Sequence, residues 1–533
     1  MFNRDSGTCR RGRAGFVAVA TLAGLFVTTT AEARVSATGC ERRNNNQYDK
    51  LLECVTLAGV REHQAAFQAI ADANVDEFYP GSRRAGTEGY SESVEYVASV
   101  LENAGWEVTF DEVEFQFVFP ALLQQLTPVS ATYATGTFTG SGDGDFTGNV
   151  IPVDINLVPP RASTSACEPG DFAGLNFGGA SDIALVQRGT CSFGIKALNA
   201  QNAGAEAVIL FNQGNDPTRE GLIVGTLLPD GAAVTIPVVG ASFADGSALA
   251  QAGSTARVRV IPAETRTDLN VIAEKRGARD DNVVMAGAHL DSVGAGPGIN
   301  DNGSGSAALL EIAQNLGNHK PVNTLRFAWW ASEEGGLIGS TNYVAGLSPS
   351  ERDRIALYLN FDMIGSPNYF IGVYDADQSS YNAPVGVPIP AGSVQIEDVF
   401  ESYYTMVGEP YDDTEFSGRS DYQAFILAGI PSSGLFTGAE VPKTAEQAGI
   451  WGGTAGAQFD PCYHLACDTF ANTSGHALDV NSDAVAFAVL TFAYSTETVN
   501  GVVGKKVPSS GPLPTPAGPA GTCPSGPTVP CKL

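Results

Sequence analysis

Four short apolar runs in the second half of the chain constrain its fold more than any other feature of the sequence. They cover residues 270–274, 283–288, 324–330 and 355–361. Each run has the length of a buried β-strand, and a helical pattern over residues 306–316 lies between the second and the third. Alternating strands and helices predict an α/β fold with a mixed, mostly parallel central sheet and helices on both faces.

Side chains that bind metals follow the ends of these runs. His289 follows the second run, Glu333 and Glu334 follow the third, and Asp362 follows the fourth. Functional groups in such folds collect outside the carboxyl ends of the strands, so we expect these four to converge. With His464 and Asp301 they would supply two imidazoles and several carboxylates, which is the ligand set of a two-zinc hydrolytic centre.

Asp301 is the predicted bridge between two zinc ions, because a paired site needs one carboxylate that touches both metals. It lies in an Asn-Asp-Asn-Gly loop before a helix, where a helix N-cap is the alternative interpretation. His289 is a predicted zinc ligand, although a core histidine bonded to the backbone is the alternative. Asp291 stands two residues after His289, on the same face of an extended chain, and is expected to hold the other imidazole nitrogen.

The adjacent acids Glu333 and Glu334 have separate predicted roles. Neighbouring side chains in an extended chain point apart, so Glu334 is assigned to zinc and Glu333 to general-base catalysis. Asp362 is assigned to zinc because an unpaired charge after an apolar run is unusual. A solvated turn for the glutamates and a loop-capping carboxylate for Asp362 are the alternatives.

His464 lies between Cys462 and Cys467, and a disulfide there would form a stiff loop that holds the imidazole. A zinc knuckle built from the cysteines is the alternative, but an oxidising compartment disfavours it. Tyr463 is predicted to donate a hydrogen bond to the oxyanion of a tetrahedral intermediate.

The first half of the chain predicts two further regions. Helical patterns over residues 51–74 and 91–104 precede a strand over 106–119, whose broken alternation suggests a bulge. Residues 126–265 then contain short Gly-, Thr- and Val-rich segments, as in a small β-rich domain. The stretch 183–193, with Lys196 and residues 203–205, resembles the protease-associated domain. That resemblance implies an insert that covers the site or guides substrate.

The ends of the chain indicate secretion. Residues 1–33 have the charged start, apolar run and Ala31-Glu32-Ala33 site of a signal peptide, with a membrane anchor as the alternative. Removing them leaves eight of the nine cysteines. Nearest-neighbour pairing would give the disulfides Cys40–Cys54, Cys167–Cys191, Cys462–Cys467 and Cys523–Cys531. Residues 504–533 form a Pro/Gly-rich tail. The excess of 58 Asp and Glu over 30 Lys and Arg argues against nucleic acid as a partner.

The order His289-x-Asp291, Asp301, Glu333-Glu334, Asp362, His464 resembles secreted di-zinc aminopeptidases of metallopeptidase family twenty-eight. The resemblance implies two zinc ions per chain, one held by His289 and Asp362, the other by Glu334 and His464, and both by Asp301. It also implies a cis peptide after Asp301 and a substrate-binding role for residues 417–421, including Arg419. The catalytic domain would comprise residues 34–125 and 266–503.

The expected activity is removal of N-terminal, leucine-like residues from peptides or proteins by a monomer that is free of membranes after signal removal. A glutamate-type carboxypeptidase would need several arginines to grip substrate carboxylates, and Arg419 alone lies near the motifs. A one-zinc glutaminyl cyclase would usually lack the insert, and a non-enzymatic ectodomain would have lost ligands. A serine hydrolase is disfavoured because no Gly-x-Ser-x-Gly follows a strand and opens a helix.

Overall fold

A computed structural model describes residues 37–520 of the 533-residue chain. The predicted signal peptide and the predicted pair Cys523–Cys531 lie outside the described residues. The other three predicted disulfides, Cys40–Cys54, Cys167–Cys191 and Cys462–Cys467, are present. Among the helices of residues 37–520, none combines the length and apolar character needed to cross a bilayer.

The described residues form fifteen strands in two sheets. They are β1 (Glu107–Phe117), β2 (Leu122–Thr127), β3 (Ala131–Tyr133), β4 (Gly144–Val153), β5 (Asp182–Gln187), β6 (Ala207–Phe211), β7 (Val238–Ala241), β8 (Thr255–Val260), β9 (Glu264–Lys275), β10 (Arg279–His289), β11 (Asn323–Trp330), β12 (Ile355–Phe361), β13 (Gly372–Tyr374), β14 (Asp412–Thr414) and β15 (Ser432–Phe436).

Fourteen α-helices accompany the strands in residues 37–520. They are α1 (Ala37–Arg42), α2 (Tyr48–Leu52), α3 (Leu57–Ala73), α4 (Glu88–Asn103), α5 (Phe193–Asn202), α6 (Phe243–Leu249), α7 (Gly303–Asn315), α8 (Ile338–Gly346), α9 (Pro349–Arg354), α10 (Ser393–Val407), α11 (Tyr422–Leu427), α12 (Ala445–Trp451), α13 (Gly475–Tyr494) and α14 (Glu497–Asn500).

The central sheet has eight strands in the order β1-β9-β11-β10-β12-β15-β13-β14. Its middle strands β11, β10, β12 and β15 are parallel, whereas β1 and β9 pair antiparallel at one edge. His289 lies opposite Trp330, and Gly287 lies opposite Asn360. This register brings the carboxyl ends of β10, β11 and β12 to one edge of the sheet. The predicted fold class is confirmed.

Alternate residues of the middle strands face two helical layers, as the period of a strand requires. Trp329 of β11 packs in the larger core with α7 and α13, whereas Trp330 packs on the opposite face with Tyr358 and Phe425. Every residue of β11 is buried, because helices cover both faces of the strand.

The second sheet has seven strands in the order β3-β2-β8-β4-β5-β6-β7. Its strands β4 to β7 are parallel, and their apolar side chains form two separate cores on the two faces. This sheet is inserted between β1 and β9, which are paired with each other in the central sheet.

Two details of the sequence prediction are wrong. The helix predicted over residues 51–74 is two helices, because the chain turns after Leu52 and Thr56 caps the next helix by accepting from the Gly59 N–H. The predicted bulge is absent from β1, which pairs with β9 without a register shift from Glu107 to Phe117. The alternation breaks because Phe110 is an exposed residue of this edge strand, at 49% exposure.

Candidate metal centre

The structure brings together all the side chains predicted to bind zinc. His289 ends β10, Glu333 and Glu334 follow β11, and Asp362 follows β12. Three further side chains come from loops at the same edge of the sheet: Asp291, Asp301 and His464. All of these side chains except Asp291 form two groups, and the ligand atoms within each group lie within 4.8 Å of one another: His289–Glu333–Asp362 and Asp301–Glu334–His464.

Asp301 lies between the two imidazoles. Its Oδ1 is 3.2 Å from His289 Nε2, and its Oδ2 is 3.3 Å from His464 Nε2. Asp362 Oδ1 is 3.3 Å from His289 Nε2, and Glu334 Oε2 is 3.1 Å from His464 Nε2. The two oxygens of one carboxylate therefore face two separate donor sets, as a bridging ligand would require.

Three buried polar atoms of the centre make no hydrogen bond within residues 37–520, although two of them lie only 3.3 Å apart. They are His289 Nε2, Glu334 Oε1 and Asp362 Oδ1. Burying such atoms without a partner is costly, so the arrangement calls for a bound group. Imidazole nitrogen and carboxylate oxygen are donors that zinc accepts, and the residues present therefore fit zinc.

The electrostatics of the centre also favour a cation. Burial raises the pKa of Glu333 well above its usual value, and it raises the pKa of Glu334 to about 7, with Asp301 adding to the rise. Burial lowers the pKa of the His289 imidazole, but Asp362 and Glu333 outweigh that effect and raise it well above its usual value. The raised pKa values of Glu333 and Glu334 mean that the protein alone does not stabilise all four clustered carboxylates in their ionised form, which a bound cation would do.

Asp291 acts on two parts of the site. The His289 Nδ1 lies 3.0 Å from the main-chain oxygen of Asp291 and 3.6 Å from its carboxylate. The carboxylate accepts from the backbone N–H of Glu333 at 3.0 Å and from that of Glu334 at 3.4 Å. The sequence predicted the contact between Asp291 and the imidazole. It did not predict the hydrogen bonds between Asp291 and the loop after β11.

The loop that carries Asp301 is held by an acid that sequence reasoning missed. Asp468 accepts from the backbone N–H of Asn300 at 2.8 Å and from that of Asp301 at 3.0 Å. The Asp301–Asn302 peptide is cis, as the family resemblance implied. Asn302 then caps α7 by accepting from the Gly305 N–H. Asp468 follows Cys467 directly, and this proximity to the predicted His464 loop was the available signal.

A buried arginine fixes the chain between His289 and Asp301. The Arg83 side chain is fully buried, and it donates to the main-chain oxygens of Leu290, Pro297 and Gly298. The sequence shows Arg83 only as part of a glycine-rich loop far upstream, so no local signal identified this role.

Asp362 and His464 are positioned by different means. Ser420 donates to Asp362 Oδ2 at 2.6 Å, and Asn360 donates in turn to Ser420. His464 lies inside the Cys462–Cys467 loop with a positive φ of 57°, and its ring stacks on Tyr463 at 3.8 Å between centroids. Asp362 is buried, whereas the His464 side chain is 40% exposed.

Arg419 and Tyr463 stand together at the edge of the centre. Arg419 donates to the Tyr463 hydroxyl at 3.0 Å and to Glu440 Oε1 at 2.8 Å. Arg419 and Glu440 therefore form an exposed ion pair beside Tyr463.

The centre opens into a cavity of about 410 Å³. Asp301, Glu333, Glu334, Asp362 and His464 line its metal-binding end. Apolar side chains line much of the rest: Met363, Phe370, Phe436, Val441 and Phe459. Arg419 is the only basic residue other than His464 among its described lining residues.

The eight-stranded α/β sheet, with its functional side chains at the carboxyl edge, is a zinc exopeptidase fold. Residues 270–489 match Peptidase family M28, and residues 147–249 match the PA domain. The chain is 45% identical over 463 residues to an aminopeptidase of Pseudomonas aeruginosa, covering 84% of this chain and 83% of that protein. It therefore belongs to peptidase family M28, with a protease-associated insert as the sequence predicted.

Two further relatives agree with this assignment. A probable leucine aminopeptidase 2 of Aspergillus fumigatus is 41% identical over 431 residues, covering 79% of this chain and 81% of that protein. The solved structure of a zinc aminopeptidase from Bacillus subtilis, BSAP, matches with a TM-score of 0.55 and 25% identity. That match covers 81% of this chain and 94% of the Bacillus protein.

Proposed function

We propose that this protein is a secreted, two-zinc aminopeptidase that removes leucine-like residues from the N-termini of peptides. One observation carries the proposal: Asp301 presents its two carboxylate oxygens to the two imidazoles, inside a buried cluster with unpartnered ligand atoms. The membership in peptidase family M28 and the aminopeptidase names of the relatives support the reaction class.

The residues that would hold the metals divide as the two groups do. His289 and Asp362 would hold one zinc ion, Glu334 and His464 the other, and Asp301 both. Zinc bound there would polarise the scissile carbonyl and lower the pKa of water. Asp291 would keep the His289 ring and the Glu333–Glu334 backbone in place.

Glu333 is the proposed general base. It lies at the cavity and is 9% exposed, with Oε2 3.9 Å from His289 Nε2. Burial raises the pKa of its carboxyl, so the side chain is suited to take a proton from the attacking water. It would then deliver that proton to the nitrogen of the leaving amine as the peptide bond breaks.

Tyr463 is the proposed oxyanion donor. Its hydroxyl oxygen accepts from Arg419, so the hydroxyl hydrogen can point into the cavity that Tyr463 lines. A hydrogen bond to the carbonyl oxygen as it gains negative charge would stabilise the transition state more than the bound substrate. Arg419 would thus contribute to substrate binding by orienting Tyr463.

The cavity fits an apolar N-terminal residue. Phe370, Phe436 and Phe459 would contact the side chain, and acidic residues near the metal-binding end would attract the free α-ammonium group. A glutamate-type carboxypeptidase is disfavoured, because the one arginine among the described lining residues is already paired with Glu440.

The proposed organisation follows the sequence prediction. A signal peptide at residues 1–33 precedes a catalytic domain of residues 34–125 and 266–503, which is interrupted by the insert at 126–265. Three disulfides in the described residues agree with an oxidising compartment. A monomer acting on peptide N-termini is the simplest assembly.

The test compares substrates and metal states. The purified protein is assayed with leucine, glutamate and lysine p-nitroanilides, with N-acetyl-leucine p-nitroanilide, and with an N-blocked peptide ending in glutamate. We expect hydrolysis of the leucine substrate above all, its loss after chelation, and its recovery on adding zinc. Hydrolysis of the N-acetylated substrate or of the C-terminal glutamate, or activity unaffected by exhaustive chelation, would overturn the proposal.

A further inference from the structure

A second cluster of carboxylates lies behind one wall of the cavity. Its members come from three elements, namely the loop after β13, the helix α10 and the strand β14. They are Asp375, Asp377, Glu397, Glu401 and Asp413. None of them belongs to the proposed zinc centre.

The cluster is dense and mostly buried. Glu397, Glu401 and Asp413 each offer an oxygen within 4.8 Å of the others, and Asp375, Asp377 and Glu397 form a second such group. Glu397 is 3% exposed, Glu401 is 8% exposed and Asp413 is 2% exposed. Glu397 belongs to both groups, so the two groups adjoin.

One buried atom of the cluster lacks the partner that a buried carboxylate needs. Asp413 Oδ1 has no hydrogen-bond partner within residues 37–520, while Asp413 Oδ2 accepts from the hydroxyls of Ser379 and Ser380. Glu401 is also a buried residue, and the largest charge that acts on it is the carboxylate of Asp413. Buried carboxylate oxygens in native proteins are hydrogen-bonded, paired or bound to metal.

The charges around the cluster are of one sign. Burial and, to a lesser extent, neighbouring carboxylates raise the pKa of Glu397 to about 9 and that of Glu401 to about 8. The electrostatic influences on Glu397 come from Glu401, Asp377, Asp413 and Asp375, all of which are acids. The site therefore resists ionisation unless a cation neutralises it.

We propose that this cluster binds a calcium ion. The donors are all carboxylate oxygens, without histidine or cysteine, which favours a hard cation over zinc. The number of acids and their spread over a loop, a helix and a strand suit the six to eight oxygen ligands and flexible geometry of calcium better than the strict octahedron of magnesium.

The ion would brace the wall of the substrate cavity. The Asp375 carboxylate accepts from the backbone N–H groups of Ser379, Ser380 and Tyr381, so the loop folds around it. Tyr381 lines the cavity from this loop, Tyr374 lines it from the end of β13, and Thr414 lines it from β14, next to Asp413. Calcium would thus fix three residues that line the cavity. An effect of calcium on the KM for peptide substrates rests on the proposed peptidase function, whereas calcium binding itself does not.

The experiment uses the full-length, zinc-loaded protein freed of alkaline-earth ions. Calcium chloride is titrated while the unfolding temperature is measured, and Tb³⁺ luminescence sensitised by tyrosine reports binding directly. We expect the unfolding temperature to rise with calcium, Tb³⁺ luminescence to be displaced by calcium and not by equal magnesium, and the KM for leucine p-nitroanilide to fall with little change in kcat.

Two variants locate the site. Glu401→Gln and Asp413→Asn should each bind calcium at least about tenfold more weakly. Glu401→Gln should also be more stable than the natural protein without calcium, because glutamine does not have to take up a proton or bury a charge when the protein folds. The matched control Glu92→Gln/Glu95→Gln removes exposed charges of α4 and should respond to calcium as the natural protein does.

Two results would overturn the proposal. One is an unchanged unfolding temperature and no Tb³⁺ luminescence at millimolar ion in the natural protein. The other is a calcium response that survives undiminished in both cluster variants, since the ion would then bind elsewhere. Loss of peptidase activity with retained calcium binding would refute the proposed function and leave this site standing.

Discussion

The two sheets of this protein end their parallel strands in opposite ways. In the inserted sheet, β5 ends at Gln187, whose side chain accepts from the Asn156 N–H and donates to the main-chain oxygens of Asn156 and Gln213. In the central sheet, β10 ends at His289, whose Nε2 has no hydrogen-bond partner, and Asp362 after β12 has an unpartnered Oδ1.

The polar groups at the two strand ends therefore have different roles, one structural and one chemical. Both sheets bury apolar strands between helices or loops, and both place polar side chains at strand ends. The amides of the inserted sheet satisfy one another within the protein, so they stabilise it. The acids and imidazoles of the central sheet include buried atoms without hydrogen bonds and carboxyl groups that the protein does not stabilise in their ionised form, so they favour a bound cation. Four predictions test whether the two strand ends differ in this way.

The largest effect is expected at Glu333. The Glu333→Gln variant keeps the shape of the side chain and removes the base, so kcat should fall about 10²–10⁴-fold while bound zinc is retained. Steady-state kinetics and metal analysis of the same preparation measure both quantities. Glu415→Gln, which changes an acid lining the same cavity outside both ligand groups, is the matched control. Loss of zinc in Glu333→Gln would instead make Glu333 a ligand.

A smaller loss is expected at Tyr463. The Tyr463→Phe variant removes the proposed oxyanion donor and leaves the ring stacked on His464, so kcat should fall about 10²-fold with zinc content unchanged. Arg419→Ala removes the group that orients the hydroxyl and the exposed ion pair with Glu440 but keeps the hydroxyl itself, so it should cost less. A rise in KM without a fall in kcat would assign Tyr463 to substrate binding alone.

The disulfides offer a direct contrast between the two regions. Replacing Cys462 and Cys467 with alanine should loosen the loop that holds His464 and weaken zinc binding at least about tenfold, measured by competition with a zinc indicator. Replacing Cys167 and Cys191 of the inserted region should leave zinc affinity unchanged. Equal zinc affinity in the two variants would show that the disulfide is not needed to hold His464 in place.

The smallest effect on activity is expected at the end of β5 in the inserted sheet. Gln187→Ala leaves buried backbone groups without partners and should lower the free energy of unfolding by about 1–3 kcal/mol. Its kcat per folded molecule should equal that of the natural protein. Denaturant unfolding with kinetics checks both, and the exposed Gln116→Ala serves as control. A fall in kcat would give the inserted sheet a role in catalysis.

The sequence predicted the parts of this structure that depend on local pattern. Buried strands such as 355–361 are visible as apolar runs, and the acids that follow them stand out because charge after such runs is costly. The parallel arrangement of the strands then follows from the alternation of strands and helices along the chain. For this reason the convergence of His289, Glu333 and Asp362 could be predicted. The pairing of Cys462 with Cys467 followed from proximity in sequence.

Contacts between distant segments could not be predicted. Arg83 reaches the loop near Gly298 across more than two hundred residues, and Asp468 holds the Asp301 backbone from another loop. Neither residue has a neighbouring pattern that marks its partner. The exposed Phe110 misled the strand prediction for the same reason, because only the tertiary fold determines which face of β1 meets solvent.

Anomalous diffraction at the zinc absorption edge, from crystals of the natural protein, tests the central claim most directly. We expect two peaks, one contacted by His289 and Asp362, the other by Glu334 and His464, with Asp301 contacting both. A single peak, or zinc bound away from Asp301, would contradict this claim.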